Sequence, residues 1–312
     1  MPTLSIVVPA FNEEEGMQNF LAELKNCLKS VDYILEVIVV NDGSTDKTRE
    51  RALEFDWDAV TIVNFMSNSG HMSALEAGLK NSSGDLIVTM DSDLQHPPQT
   101  ILKMLDVVEQ TNCDVVLAIR NRGGESKVRG FCSRSFYRFL SKVTDIEFAN
   151  DAGDFRLMKK RVVEIILTLP ENQKIFRFLV GALRFKSEKV FFDSPHRQYG
   201  KSKYQWKNLM KLAVSSLIGF STTPLTAIFI GGIITFTLGI VYLIFVLSNY
   251  RNSDATQGWT SLMAALISFS SIQIIALGVI GRYVSQILTE IRKRPGFIVD
   301  NIQGARDRYG SE

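Results

Sequence analysis

The sequence predicts an α/β protein, a mostly parallel sheet with helices on both faces, followed by a membrane-attached carboxyl-terminal part. Three observations predict it. Short apolar runs alternate with helical stretches from Leu4 to about Thr111, the pattern of a parallel sheet covered on both sides. Polar and acidic residues, Asn12-Glu13, Asn41-Asp42 and Asp91-Ser92-Asp93, follow those runs directly, where open α/β sheets bind ligands. No charged residue lies between Lys211 and Arg251, or between Asp254 and Arg282, and each gap exceeds the roughly 20 apolar residues that cross a bilayer core.

Length, charge and cysteine usage narrow the function classes. At 312 residues there is room for one large domain and an appendage. The 35 Lys and Arg nearly balance 33 Asp and Glu, and a net charge of +2 gives no polycationic surface for nucleic acid. Cys27, Cys113 and Cys132 are widely spaced and odd in number, which suits reduced thiols and gives no metal pattern. The opening Met1-Pro-Thr-Leu-Ser-Ile-Val-Val-Pro9 lacks the basic region and cleavage site of a signal peptide, so the amino-terminal part is expected in the cytoplasm.

Leu4 to Val8 reads as the first strand, and Pro9 to Glu15 as a loop opening a helix to about Ser30. Asn12 is its candidate N-cap, with Glu13 to Glu15 in the first turn, where the helix dipole favours acids. The second strand, Glu36 to Val40, ends in Asn41-Asp42-Gly43-Ser44-Thr45-Asp46. Gly43 permits a tight turn, and Ser44, Thr45 or Asp46 caps a helix near Lys47. Asp42 belongs either to that turn or to a site that binds a base or ribose. Ala59 to Asn64 is the third strand, and a small-residue helix, Met72 to Lys80, follows His71, which either touches a phosphate or packs and caps.

The fourth strand, Asp85 to Met90, runs into Asp91-Ser92-Asp93. Side chains two residues apart at a strand end share a face. Asp91 and Asp93 can therefore converge on one ion, and hard oxygen ligands suit Mg2+ or Mn2+; a solvated Asp-rich turn is the competing reading. A helix from about Pro98 to Thr111 and a fifth strand, Asp114 to Ile119, come next.

From Arg120 basic residues thicken, with Arg122, Lys127, Arg129, Arg134 and Arg138. They form either a solvated helix face or a site for phosphates, which Arg binds bidentately. Asn150 to Met158 is a polar loop entering an apolar strand, and its Asp154 is a cap or a base facing the site. Gln205 to Phe220, with Lys203, Lys207 and Lys211 every four residues, reads as an amphipathic helix on an anionic membrane surface. Two transmembrane helices are expected, about Pro224 to Leu247 and about Ser261 to Gly281. The connector Ser248 to Thr260 carries a single Arg, while Lys and Arg crowd the outer flanks, which places both termini in the cytoplasm. Gly231-Gly232 and Gly239 leave a homo-oligomer through close helix packing open.

Four motifs, Pro9-Ala-Phe-Asn-Glu-Glu, Val40-Asn-Asp-Gly-Ser-Thr-Asp, Asp91-Ser-Asp-Leu-Gln-His-Pro-Pro and Gly153-Asp-Phe-Arg-Leu-Met, stand in this order. Together they resemble the inverting family 2 glycosyltransferases of GT-A fold. More narrowly, the chain is similar to the polyprenyl-phosphate sugar synthases that act on dolichol or undecaprenyl phosphate, and Gly281-Arg282-Tyr283 extends the likeness into the carboxyl-terminal part. The resemblance implies a cytoplasmic GT-A (Rossmann-like) catalytic domain over residues 1–200, an amphipathic juxtamembrane segment at 201–222, two spans within 223–288 and a basic cytoplasmic tail at 289–312. The whole would be an integral protein of a bacterial inner membrane.

The same resemblance implies site roles. Pro9, Asn12 and Glu13 would line the nucleotide pocket, Asp42 would contact the base, and Asp91 and Asp93 would hold Mg2+ or Mn2+ and the donor diphosphate beside Gln95. Asp154 would lie near the acceptor. Arg197, Ser202 and Lys203 would form a loop over the site. Apart from the resemblance, the phosphate-binding chemistry of arginine makes Arg120, Arg122 and Arg129 the candidates for holding the acceptor phosphate. Asn41 departs from the family, many of whose members carry a second Asp there. The expected reaction moves one sugar from a nucleotide diphosphate sugar, with UDP-glucose the expected donor, to a membrane polyprenyl phosphate with inversion, for later cell-envelope glycosylation. The alternatives are transfer to a glycolipid or polysaccharide, although the Gln-x-x-Arg-Trp of processive synthases is absent, or a non-catalytic nucleotide-sugar-binding scaffold.

Overall fold

The computed structural model describes residues 1–121, 152–171, 174, 176–193, 223–249, 258–292 and 294–304. They fall into two units, one built on a sheet and one holding the two long helices. In the sheet unit β1 (Thr3–Ala10) is central and buried from Leu4 onward. It pairs in parallel with β2 (Ile34–Asn41) and with β4 (Leu86–Thr89), and β3 (Val60–Phe65) pairs in parallel with β2. Runs such as Ile6-Val-Val8 and Val37-Ile-Val-Val40 are apolar on both faces because helices cover both. The helices are α1 (Met17–Cys27), α2 (Thr48–Leu53), α3 (His71–Asn81) and α4 (Gln99–Thr111). On α3, Gly78 lies so close to the Val7 side chain that any β-carbon there would overlap it.

The mostly parallel α/β sheet follows the expectation, and two strands break the parallel run. The full order is β7-β5-β6-β4-β1-β2-β3-β8. β5 (Val115–Arg120) is followed in the described residues by β6 (Ala152–Lys159), which inserts antiparallel between β4 and β5. α5 (Lys160–Thr168) and α6 (Phe176–Ala182) lead to β7 (Ser187–Phe192), parallel to β5 at one edge. The other edge is closed by β8 (Val299–Gly304), antiparallel to β3. Residues read from sequence as a basic tail thus contribute a strand of the sheet.

The expected helix start at Asn12 needs correction. α1 begins at Met17 with Gly16 before it and no acidic residue in its first turn. Asn12 has φ 55°, and its Oδ1 accepts instead from the Thr45 N–H at 2.9 Å. A cap residue needs extended backbone, and this one is turned left-handed to reach the neighbouring loop. The expected cap of the next helix by Ser44, Thr45 or Asp46 also shifts: Lys47 takes the N-cap position without a side-chain cap, and Asp46 before it accepts from the Thr48 N–H at 3.0 Å.

The second unit holds α7 (Thr223–Asn249) and α8 (Trp259–Arg292). Phe229, Ile233, Phe236, Ile272, Ile275 and Leu277 are all more than half exposed on them. Among the described residues one segment, Ile272–Arg292, is long and apolar enough to cross a membrane, and α7 carries the shorter apolar stretch Ile228–Val241. α8 continues well past the predicted end at Gly281. The amphipathic segment 201–222 lies outside the described residues, as does Cys132; Cys27 and Cys113 are free thiols.

A peripheral ion pair yields an acid-stability prediction. The Arg161 guanidinium on α5 contacts the buried Asp114 carboxylate at the start of β5 and holds its pKa below the ordinary value. The stabilisation is full above the unfolded carboxyl value and is lost as pH falls through the lower native one. Arg161→Ala is expected to move the acid-unfolding midpoint to higher pH while costing at most about 1 kcal/mol at pH 7, since the Arg is largely exposed. Circular dichroism across an acid titration checks this, and an unmoved midpoint would contradict it.

Candidate active site

The carboxyl ends of β1, β2, β3 and β4 and the amino end of β6 meet at one edge of the sheet, because β6 runs the other way. Thr89, the last residue of β4, stands opposite Arg156, and its hydroxyl donates to the Asp154 carbonyl. Asp91 therefore leaves one strand beside the point where Asp154 enters the next. The His71 ring, at the first turn of α3, stands between them, its Nε2 3.8 Å from Asp91 Oδ1 and 3.4 Å from Asp154 Oδ2.

Each carboxylate is positioned by its own surroundings. Asp154 is buried, and its Oδ1 lies 3.3 Å from Nη2 of Arg156. Arg156 is 1% exposed, and the same nitrogen donates to the Gly153 carbonyl at 2.7 Å. A buried guanidinium beside a carboxylate favours its ionised form and fixes its direction. Asp93 Oδ1 accepts from the Gln95 N–H at 3.1 Å, closing a tight turn in which Leu94 takes φ 57°. That conformation is strained for leucine, and burial of the Leu94 side chain offsets it.

His96 props the Asp91 backbone. Its Nδ1 accepts from the Asp91 N–H at 3.0 Å, and the Asp91 Oδ2 lies 3.7 Å from the same nitrogen. The ring stacks on Phe155 at 4.7 Å and meets Phe192 edge-on at 6.0 Å. Beside this cluster is a cavity of about 190 Å³ lined by Gln95, His96, Gly153, Phe155 and Phe192, with Arg120 at its border. Arg120 Nη1 reaches Gln95 Oε1 at 3.4 Å.

On the β1–β3 side the loops are stitched together. The Asn12 N–H donates to Ser44 Oγ at 3.0 Å and the Glu13 N–H to Thr48 Oγ1 at 2.8 Å. Asp42 is 3% exposed, and its two oxygens accept from the Ser69 and Gly70 N–H groups at 2.6 and 2.9 Å. Burial pushes its carboxyl pKa up, opposed by those two amides and by His71. Gly43, at φ 63°, packs where a β-carbon would come within 2.5 Å of the Ser67 backbone, so this turn requires glycine.

Of the expected residues, Asp91, Asp93, Gln95, Asp154 and Arg120 gather on one side, and Pro9, Asn12, Glu13 and Asp42 on the other. Arg122, Arg129, Arg197, Ser202 and Lys203 lie outside the described residues. Sequence reasoning left His71 with a packing alternative and assigned nothing to His96 or Arg156. Gly70-His71 at a helix start and His96 five residues after Asp91 were the available signals, and neither reveals which carboxylate the ring meets.

Asp42 can be tested directly. Both of its oxygens are acceptors, so Asp42→Asn must set an NH2 against a backbone N–H. The variant is expected to lose about 1–3 kcal/mol of stability. Thermal unfolding at neutral pH checks it; a wild-type melting temperature would mean that the Ser67–Gly70 loop is held by other contacts.

The sequence model of "Glycosyl transferase family 2" matches residues 5–167. The chain is 36% identical over 308 residues to the Bacillus subtilis (strain 168) protein named glycosyltransferase YkcC, covering 97% of this chain and 95% of the relative. It is 30% identical to the prophage bactoprenol glucosyl transferase homolog of Escherichia coli (strain K12), covering 96% of this chain and 99% of that one. Among solved structures it is similar in fold to mannosyl-3-phosphoglycerate synthase from Rubrobacter xylanophilus, with a TM-score of 0.53 at 16% identity over 70% of this chain and 73% of that one. It is also similar to glucosyl-3-phosphoglycerate synthase from Mycobacterium tuberculosis, solved with Mn2+, UDP-glucose and phosphoglyceric acid, with a TM-score of 0.51 at 20% identity over 70% of this chain and 78% of that one. With this sheet, these carboxylates and these relatives, the chain belongs to glycosyl transferase family 2 and is a glycosyltransferase of GT-A-like fold.

Proposed function

We propose that the protein transfers one glucose from UDP-glucose to a membrane polyprenyl phosphate, undecaprenyl phosphate, with inversion at the anomeric carbon. The observation that carries this reading is the meeting of Asp91 and Asp154 at one His71 ring, two carboxylates across one space to which the proposal gives the donor and acceptor sides. Relatives named bactoprenol glucosyl transferase support the acceptor; the one from Shigella phage SfV is 30% identical over 96% of this chain.

The residues fit a divalent ion of the hard-oxygen class. Asp91 and Asp93 supply carboxylate oxygens, and no third His, Cys, Asp or Glu among the described residues completes a cage. Mg2+ and Mn2+ commonly take few protein carboxylates and fill the remaining positions with phosphate oxygens and water. When bound, such an ion would neutralise charge on the departing diphosphate.

The acceptor phosphate is the nucleophile. It carries about −1.5 to −2 charge at pH 7, so its oxygen attacks C1 of the sugar without general-base help. As the new C1–O bond forms, the bond from C1 to the diphosphate breaks, and the diphosphate leaves with the electron pair. Asp154, held by Arg156, orients the acceptor side, and His71 links it to Asp91. Arg120 faces the acceptor phosphate, with Arg122, Arg129, Arg197, Ser202 and Lys203 as its proposed partners. Asp42, Asn12, Glu13 and Pro9 hold the nucleotide.

Two membrane crossings are part of the proposal. The chain leaves the sheet unit before α7 and returns after α8 to add β8 to the same sheet. An odd number of crossings would divide that sheet between two sides of a bilayer. One crossing by α8 therefore requires another by α7, whose 27 residues carry no charge and extend far enough for a core of about 30 Å. Both ends of the pair then lie on the cytoplasmic side.

The test is transfer from a panel of radiolabelled nucleotide sugars into chloroform-soluble undecaprenyl phosphate, with purified protein in lipid and Mg2+ or Mn2+. One donor is expected to label the lipid, and Asp93→Asn and Asp154→Asn are each expected to lower the rate at least about a hundredfold. Nucleotide binding with no labelled lipid from any donor would overturn the acceptor assignment.

A further inference from the structure

We propose that β8, formed after the two long helices, completes the donor-binding half of the site, with Asn301 as a positioning residue for the loops that line it. This rests on the donor pocket placed above at Asn12 and Asp42. The carrying observation is a run of hydrogen bonds along the edge of the sheet. Asn41, Asn64 and Asn301 stand level on β2, β3 and β8. Asn64 Nδ2 donates to Asn301 Oδ1 at 2.7 Å, and Asn41 Nδ2 donates to Asn64 Oδ1 at 3.0 Å. Asn41 Oδ1 accepts from the Ser44 N–H at 3.1 Å, and Ser44 Oγ accepts from the Asn12 N–H at 3.0 Å. At the other end Asn301 Nδ2 donates to Asp300 Oδ2 at 2.7 Å.

The three side-chain amides thus point the same way, from Asn41 through Asn64 to Asn301. An amide can present its carbonyl or its NH2 to a neighbour, so the order holds only if one end is anchored. Both ends are anchored here: the Ser44 N–H donates only, and the exposed Asp300 carboxylate accepts only. Asn41 and Asn64 are 6% and 3% exposed, so a lost partner is not replaced by water, and polarised chains of this kind are coupled along their length. Without the Asn301 carbonyl, the buried Asn64 NH2 is left unmatched, and Asn41 is held in line from the Ser44 end alone. The 41–46 loop carries Asp42, and the Ser44 hydroxyl carries Asn12.

The strand is also fixed by contacts that bypass this run. Arg49 Nη2 donates to Gln303 Oε1 at 2.8 Å, and Phe297 stacks on Phe65 at 4.9 Å. Holding the strand in place and orienting the loops are therefore separable.

The experiment uses the full-length protein in lipid and compares wild type with Asn301→Leu, Asn301→Asp and Arg49→Ala. Uridine diphosphate with Mn2+ is titrated, and backbone amide exchange is followed without ligand. Asn301→Leu is expected to bind uridine diphosphate about tenfold more weakly, equivalent to about 1.4 kcal/mol. Its amides at 12–13 and 41–46 should exchange faster, while kcat at saturating donor and KM for the lipid stay unchanged. Asn301→Asp loses the donation to Asp300 but keeps the oxygen that accepts from Asn64, its carboxylate taking over the acceptor-only role while the exposed Asp300 turns away; it is expected within about twofold of wild type, as is Arg49→Ala. The inference is overturned if Asn301→Leu binds and exchanges like wild type, or if Arg49→Ala loses as much and Asn301→Asp restores nothing. If wild type fails to bind uridine diphosphate, the donor reading falls, and the exchange comparison still upholds or overturns the positioning role.

Discussion

The antiparallel insertion of β6 between β4 and β5 is the constraint on which the site depends. In an all-parallel sheet the strand after β5 would begin at the far edge, and Asp154 would open a loop remote from Asp91. Reversal brings the amino end of β6 to the edge where β4 releases Asp91. The pairing of Thr89 with Arg156 fixes the register, and a slip of one residue would send Asp154 to the other face of the sheet. Strand direction, more than any loop, sets the two carboxylates against one another.

Burial decides how those carboxylates behave. Asp154 and Arg156 share an interior where an unpaired charge would be costly, so each is stabilised as an ion by the other. Asp91 is 40% exposed on its side chain and keeps its oxygens available to a ligand, while its backbone is anchored by His96. The arrangement separates a fixed charge from an accessible one. A carboxylate locked to a buried guanidinium has a fixed direction, whereas an exposed one can turn to meet a ligand.

Much of the frame was legible in the sequence because it is local. Apolar runs such as Val37-Ile-Val-Val40 and the turn residues after them specify strands and their exits, and the order of β1 to β4 follows from alternation with helices. The misreading at Asn12 has a physical source. A polar residue ahead of acids resembles a helix cap, yet its left-handed backbone lets its carbonyl serve Thr45 thirty-three residues away, a partner invisible to local pattern. The reversal of β6, the His71 contacts and the pairing of β8 with β3 are likewise non-local. Asn41, seen from sequence as a departure from an expected Asp, gains its reason only from Asn64: a carboxylate there could not donate to that carbonyl.

The late position of β8 in the chain bears on how the loops around Asn12 and Asp42 are assembled. Until residues 299–304 arrive, β3 presents an open edge, which in general invites wrong pairing, and Asn64 lacks its acceptor. The chain completes both long helices first, and domains form in order of synthesis, amino-terminal parts ahead. The pair Asp154–Arg156 lies on one strand and needs no residue beyond β6 to form. The loops around Asn12 and Asp42 await the last strand of the sheet. A chain with its helices misplaced would hold β8 away from β3, so the ordering of the loops around Asn12 and Asp42 depends on the return of the chain to the sheet after its long helices.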